Sequence, residues 1–482
     1  MLKQKMALLL AAAMLAGAVS GCSNSQQGGE VSADSGASAQ SEGSSQAENQ
    51  EPVTIKFVGY ANSAAGFEAR AEEFMSQRSD IKVEVQGIPA NSWGELMQAI
   101  SVNIAGGDVP DIADIASEGQ RSFAASGIII PIDEYLERDK EEMKETLDEI
   151  DPALMETMKY DGKTYCLPTV WNNILLYYNK NVLERFNIPE PESGWTIDDF
   201  IEICQTVTSE NDGTNDVYGY AFGNAYFNTI VPWMIVSGGN VLNDDWTESR
   251  LTDPDTLAGV QLLYDFVYKY NISPKIDAGV ADLDLFVQDK LAFMSAGMWQ
   301  VNALKNADFP VDDYDVVDLP IVKEDKAVIG VGGAPIFAAS EHQDAAWEFA
   351  KFLSSKDFQD TFIVEDGWSI PAVKSAADTL AAKDFAPAHA DLFYASAQKG
   401  VMVQAPQEYG AIESVCSVSS ALANMKTMEE AMAAAEKKLT LRSQSADNFS
   451  AVIFNGQRRL AATLSCSSKK QLRKSESLQP AL

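Results

Sequence analysis

Residues 53–85 read VTIKFVGYANSAAGFEARAEEFMSQRSDIKVEV. Val53, Ile55 and Phe57 alternate with polar neighbours as in a half-buried strand; Phe67, Ala71, Phe74 and Met75 then recur at helical spacing, and Ile81, Val83 and Val85 alternate again. A strand, a helix and a strand in that order make a β-α-β unit, whose strands run parallel because the helical crossover returns the chain to the same end of the sheet. The expected fold class is therefore α/β. The next stretch predicts a helix over about 93–105, with Leu96, Met97, Ile100 and Ile104 on one face. Gly106-Gly107 stops it, because glycine tolerates a left-handed backbone. Another strand is expected from Asp111. Farther along, Asp161-Gly162 signals a tight turn between 158–160 and 164–167, and Thr196 to Asp199 has the form of a capping box opening a helix. Helical spacing returns at Leu257, Val260, Tyr264 and Val267, and at Ala346, Phe349, Ala350 and Leu353.

Composition narrows the function classes. The 482 residues allow roughly two to four domains, at about 100–200 residues each, with a core that needs no staples. A net charge of −34 repels phosphate backbones, so no nucleic-acid partner is expected. Only two histidines, His342 and His389, are present, which leaves little for histidine-based metal sites or histidine-assisted nucleophiles. Cys22, Cys166, Cys204, Cys416 and Cys466 are scattered without metal-ligand or disulfide-framework spacing. No cofactor and no metal are expected.

The first 21 residues have the layout of a secretory signal peptide, with two lysines before Met6 and then an apolar run to Val19. That run is shorter than the roughly 20 residues a spanning helix needs. Val19-Ser20-Gly21-Cys22 resembles a bacterial lipobox, which implies cleavage before Cys22 and lipid attachment to its thiol. The alternative is an ordinary signal peptide with an incidental cysteine. Residues 22–51 are then a disordered tether of Ser, Gln, Gly, Ala and Glu, too poor in apolar side chains to fold, with a reach of roughly 30 Å. The expected location is the outer face of the cytoplasmic membrane, held there through Cys22.

Several later segments resemble one family, the extracellular solute-binding proteins of ABC importers, in the carbohydrate-binding cluster that includes maltose-binding protein. They are GGDVPDI (106–112), AASGIIIP (124–131), GKTYCLP (162–168) with YYNK (177–180), KLAFMSAGMW (290–299), GVGGAPIFAAS (330–340), AWEFAKFL (346–353) and GWSIP (367–371). Their order and spacing span about residues 53–430. The resemblance implies two α/β lobes, 52–167 plus 325–355 and 169–322 plus 357–436, with three interlobe crossings and a central cleft. It implies a monomer that closes on a carbohydrate and presents it to the permease subunits of an ABC transporter, without covalent chemistry. Ligands in such folds sit at the carboxyl ends of parallel strands and between domains.

A sugar needs aromatic platforms for its C–H faces and planar polar groups for its hydroxyls. Tyr60 follows the first strand at its carboxyl end, as a ligand contact or a rim aromatic. Aligned on the family pattern from Asp111 to Gly127, Glu118 falls on an acid that binds ligand hydroxyls. The family's neighbouring arginine and tryptophan fall on Gly119 and Ile115, so the contacts differ from those to maltose. Asn172 falls on a family acid, and Trp171 beside it either stacks on sugar or packs the hinge. Trp299 sits where the family's Gly-x-Trp places a stacking tryptophan. Trp233 and Trp368 follow proline- or glycine-marked breaks and are further candidates, with core packing as the alternative. Gly332 and Gly333 lie at a strand end where lack of a Cβ allows close approach of a ligand or the facing lobe, a plain turn being the alternative.

Two rival readings remain at this level. A secreted glycosidase needs two carboxyls about 5–9.5 Å apart, which no local motif singles out among 70 acids. The same fold could instead take a peptide, a polyamine or an anion. Residues 437–482 do not fit the pattern: they carry a net +7, whereas residues 1–436 carry −41. The abrupt shift predicts a reading-frame slip near the end of the gene, the alternative being a basic extension that docks on membrane or wall polymer.

Overall fold

Strands β1 (Val53–Tyr60) and β2 (Ile81–Ile88) pair in parallel, from Val53 opposite Ile81 to Tyr60 opposite Ile88, with α1 (Ala64–Gln77) as the crossover between them. The computed structural model describes residues 51–439 except 91, 210–216, 224, 245, 276–281, 406–411 and 414–415. The expected signal peptide, Cys22, the tether up to residue 50 and the tail from residue 440 lie outside the described residues.

Helix α2 (Trp93–Ala105) begins at Ser92, whose hydroxyl accepts the Glu95 N–H at 3.3 Å and satisfies one of the orphan donors of the first turn. It buries Leu96, Met97 and Ile100, while Ile104 is half-buried. The chain leaves the helix through Gly107 at φ +88°. Strand β3 (Ile112–Ala113) then pairs with β1 on the side away from β2, which completes a parallel sheet in the order β2-β1-β3. Strand β4 (Ile115–Ala116) leads directly into α3 (Ser117–Ala125).

The hairpin β5 (Lys159–Tyr160) and β6 (Lys163–Thr164) turns through Asp161 at φ +50° and Gly162 at φ +72°. Two consecutive left-handed residues give the turn whose twist suits a two-residue hairpin. After β7 (Pro168–Asn173) and β8 (Leu175–Asn179), the helix Ile197–Ser209 opens on the expected capping box. Asp199 Oδ2 accepts the Thr196 N–H at 2.8 Å, and Thr196 Oγ1 accepts the Asp199 N–H at 3.3 Å.

A second sheet combines β8 with β9 (Tyr218–Ala221), β10 (Leu291–Ala296) and β11 (Tyr314–Val317) in the order β11-β8-β10-β9. It is mixed, because β8 runs antiparallel to both neighbours whereas β9 and β10 are parallel. A third sheet contains β7, β12 (Ala327–Gly333), β13 (Ile370–Pro371) and β14 (Gly400–Met402) in the order β13-β7-β12-β14, with β4 also on β12. The chain leaves the first sheet through β7 and returns through the antiparallel β12, after which the helix Gln343–Ser354 packs Phe349 against Phe57 of β1, ring centroids 5.7 Å apart. The architecture is two-lobed α/β, with the third sheet joining the lobes.

Candidate functional site

The carboxyl ends of β1 and β3 are adjacent because the strands are parallel, and they deliver Tyr60 and Asp114 to the same place. The first turns of α2 and α3 add Trp93, Glu95 and Glu118. β7 and β12 form the floor through Asn172, Gly330 and Gly332, and Phe227, Trp299, Trp368 and Glu413 close the remaining sides. Together they enclose a cleft of about 1180 Å³. That exceeds the roughly 300–1,000 Å³ usual for small-molecule pockets, so more than one sugar-sized ring fits.

Aromatic faces stand in two pairs and one single ring. Tyr60 and Trp93 meet edge to face with centroids 4.8 Å apart, and Phe227 and Trp299 are tilted at 6.3 Å. All four, and Trp368, are half-buried, so each keeps surface to offer. The backbone explains the position of Trp299. Its ring folds back over Gly297, where a Cβ would come within 2.2 Å of the indole, so Gly-Met-Trp is a steric requirement. Tyr177 donates its hydroxyl to the Gly297 carbonyl at 2.8 Å, and Asn172 Oδ1 accepts the Met298 N–H at 3.1 Å. The other end of the same amide donates to Ser369 Oγ at 2.8 Å. Asn172 therefore fastens the segments that carry both Trp299 and Trp368.

The polar lining is acidic. Among the described residues that line the cleft there are four carboxylates, Glu95, Asp114, Glu118 and Glu413, and no Lys, Arg or His. Glu118 is 2% exposed; its Oε2 accepts the Ser117 hydroxyl at 3.0 Å, and Ser117 Oγ in turn accepts the Val331 N–H at 3.3 Å. This chain ties the acid to β12. Burial pushes the Glu118 carboxyl up to about 7 and the Asp114 carboxyl, 8% exposed, also up to about 7. Glu413 is raised as well, again mainly by burial, although its Oε2 accepts from Ser92 Oγ at 2.9 Å and the Gly94 N–H at 3.2 Å. Burial, and then the charges of Asp114, Glu413, Glu118 and Glu95, hold the Tyr60 phenol well above its ordinary range.

The structure places Tyr60, Glu118, Asn172, Trp299, Gly332 and Trp368 on the cleft. Trp171 borders it but is 1% exposed; its indole N–H donates to the Pro371 carbonyl at 3.1 Å, and its ring packs edge-on to Tyr394. It packs β7 against β13 and Tyr394. Two expectations need correction. Trp233, on the helix Val231–Val236, is 0% exposed, donates to the Tyr220 hydroxyl at 3.1 Å and packs on Phe266 at 4.9 Å. It is a core residue without a face for ligand. Gly333 does not line the cleft, and its missing Cβ serves the fold, since one would lie 2.5 Å from the Leu167 carbonyl at the register shift between β7 and β12.

Sequence reasoning missed Trp93, Asp114, Phe227, Gly330 and Glu413. Asp114 carried a usable signal, because it stands at the carboxyl end of a parallel strand just as Tyr60 does. Gly330 is explained by space: a Cβ there would sit 3.2 Å from both Glu118 Oε1 and the Phe227 ring. Glu413 carried none, since it reaches the helix α2 N-terminus from 321 residues away.

A cleft between two α/β lobes joined by crossing strands, lined by aromatic faces and hydrogen-bonding groups, defines the two-lobed solute-binding class. Residues 60–360, more than half of the chain, match the family described as bacterial extracellular solute-binding protein, and the chain belongs to that family. Among curated relatives, the maltotriose-binding protein of Pyrococcus abyssi is 28% identical over 296 residues, 60% of this chain and 59% of that protein. The chain thus spans less than two thirds of that relative's length. An ABC substrate-binding protein from Listeria monocytogenes in complex with cycloalternan has the same fold, with a TM-score of 0.73 at 22% identity over 82% of this chain and 99% of that one. The maltose-bound MalE3 of T. maritima gives 0.68 at 21% identity, covering 81% and 99%.

Proposed function

We propose that the protein is a binding lipoprotein that captures a sugar or oligosaccharide by cleft closure and delivers it to the permease of an ABC transporter. The observation that carries this reading is the lining of one cleft by two pairs of half-buried aromatic rings together with carboxylate acceptors. Rings present flat apolar faces to the C–H surface of a pyranose, and the acceptors take its hydroxyls. The names of curated relatives, maltotriose-binding and galactooligosaccharide-binding among them, support the same solute class.

On this reading the lobes are 52–167 plus 325–355 and 169–322 plus 357–436, and the chain works as a monomer held by lipid on Cys22 at the outer face of the cytoplasmic membrane. It is a carrier and not an enzyme. Closure is driven by the difference in affinity of the solute for the closed and open arrangements, and the crossing strands absorb the backbone change. The test is a thermal-shift screen of the whole chain against mono- and oligosaccharides, with amino acids, peptides and polyamines alongside. A ligand at a hundred times its Kd stabilises the fold by about 2.7 kcal/mol, which such a screen detects. A shift with one carbohydrate class, and recovery of that sugar uncleaved, is expected. Shifts only with non-sugars would overturn the solute assignment, and cleavage would overturn the carrier role.

A further inference from the structure

The cleft has an imbalance that a neutral sugar does not explain. Asp114 is more than nine-tenths buried and lines the cleft, yet no donor among the described residues hydrogen-bonds its carboxylate. Glu118 has its own backbone N–H and the Ser117 hydroxyl as donors, both neutral, and its Oε1 lies at the cleft floor near Gly330. A buried carboxylate is ordinarily matched by a cation or by several donors, because leaving it bare costs several kcal/mol. Residues 91, 224, 406–411 and 414–415, which adjoin lining residues in the sequence, contain no Lys, Arg or His either. The compensating charge is thus missing from the described lining residues and from those that adjoin them in the sequence.

We propose that the solute supplies it: the cleft is built for a saccharide that carries a protonated amine, placed so that the ammonium group faces Asp114 and Glu118 while the pyranose rings lie on the flanking aromatics. This deepens the carbohydrate reading and rests on it. Two features select the class. The acidic centre, with Glu413 and Glu95 at its edge, favours a cation over a neutral or anionic sugar. The paired rings Tyr60–Trp93 and Phe227–Trp299 favour ring-shaped solutes over a linear polyamine, although aromatic faces also attract the cation directly.

The groups that interact with Asp114 are Tyr60 from β1 and the thiol of Cys166 ahead of β7, and Glu118 from α3 and Glu413 line the same cleft; none of the four is cationic. A ligand ammonium then brings a positive charge that the described lining residues lack, and it stabilises the ionised carboxylates. With Asp114 and Glu118 raised to about 7 by burial, binding at pH 6 to 6.5 expels protons to the solvent. A neutral sugar leaves those protons where they are.

Calorimetry on the whole chain at pH 6.2, in two buffers of different ionisation enthalpy, tests this with matched pairs of trisaccharides. Maltotriose is compared with 6-amino-6-deoxymaltotriose, and cellotriose with the glucosamine trimer, so that either linkage is covered; spermidine is the ringless cation. At least one amino sugar is expected to bind tenfold or more tighter than its neutral partner, with proton release. Asp114→Asn should erase most of that preference, read as the ratio of amino-sugar to neutral-sugar affinity, and reduce the released protons. Should Asp114→Asn fold poorly, Glu118→Gln read in the same way replaces it. Neutral sugars binding as well as their amino partners, without proton release, would overturn the inference and leave the carbohydrate reading standing. Spermidine binding with no saccharide bound would overturn both, and so would the binding of none of the five.

Discussion

Trp299 and Trp233 share a residue type and part with each other entirely in consequence. Trp299 sits half-exposed over Gly297 on the cleft wall, so Trp299→Ala is expected to weaken the ligand by at least about 2 kcal/mol, roughly thirtyfold, with little change in Tm. Trp233 is sealed among Tyr220, Phe200 and Phe266, so Trp233→Ala should cost roughly 3–5 kcal/mol of stability while the folded fraction keeps its affinity. Paired denaturation and binding curves separate the two; equal losses of affinity would place both rings in the site. The sequence distinguished Trp299 through its resemblance to the family's Gly-x-Trp, and the structure supplies a steric reason for that glycine. Nothing marked Trp233 as core, since a tryptophan after proline looks the same whether its face meets a core or a cleft. Asn172 was legible as a site position but not in its role. Its amide is consumed by Met298 and Ser369, so Asn172→Ala is expected to weaken binding through the two tryptophans it positions, with fluorescence of the free protein already altered.

At the scale of elements, the long ones were readable because their pattern is local. β1, α1, β2 and α2 each repeat a period over eight or more residues, and the hairpin at Asp161-Gly162 and the box at Thr196 and Asp199 are set by backbone conformation and a hydrogen bond inside four residues. Strands β3, β4 and β13, two residues each, were not readable as pairs, because their partners β1, β12 and β7 are chosen by tertiary packing. The same dependence on distant partners makes Gly259 informative. It lies in the helix Pro254–Tyr268, and a Cβ there would sit 2.5 Å from the Trp233 carbonyl and 2.6 Å from Met234 Cα. Gly259→Ala, which on helix propensity alone should stabilise by up to about 1 kcal/mol, is therefore expected to destabilise by roughly 1–3 kcal/mol, read as a lower denaturation midpoint. A midpoint unchanged or raised would mean that the two helices can separate at no cost.

For the molecule as a whole, the acids of the cleft set a pH dependence opposite to the usual one. Carboxyls stabilised as anions, such as Asp139 beside Arg138, hold a folded value below 3.8; their contribution is complete above that value and is lost only in stronger acid. Asp114 and Glu118 work in the other direction. Their ordinary values are 3.8 and 4.5, and burial raises both to about 7 in the folded chain. Between about pH 4 and 7 the folded state therefore holds protons that the unfolded state has released. Since the unfolded state binds fewer protons over that range, stability falls as pH rises, by about 1.4 kcal/mol per pH unit for each carboxyl, and levels off above about pH 7. The windows hardly overlap, so these two carboxyls contribute a falling slope from pH 5 to 7. Asp114→Asn keeps the shape and removes one titration, so its stability should exceed that of the native chain by more at pH 7.5 than at pH 5. Urea unfolding at four pH values in that interval measures the difference, and a gap that stays constant with pH would show that Asp114 does not carry the cost of an uncompensated buried charge. Saturating the cleft with a cationic ligand should flatten the native slope, whereas a neutral one should only displace it, which links the stability of the empty protein to the kind of solute it closes on.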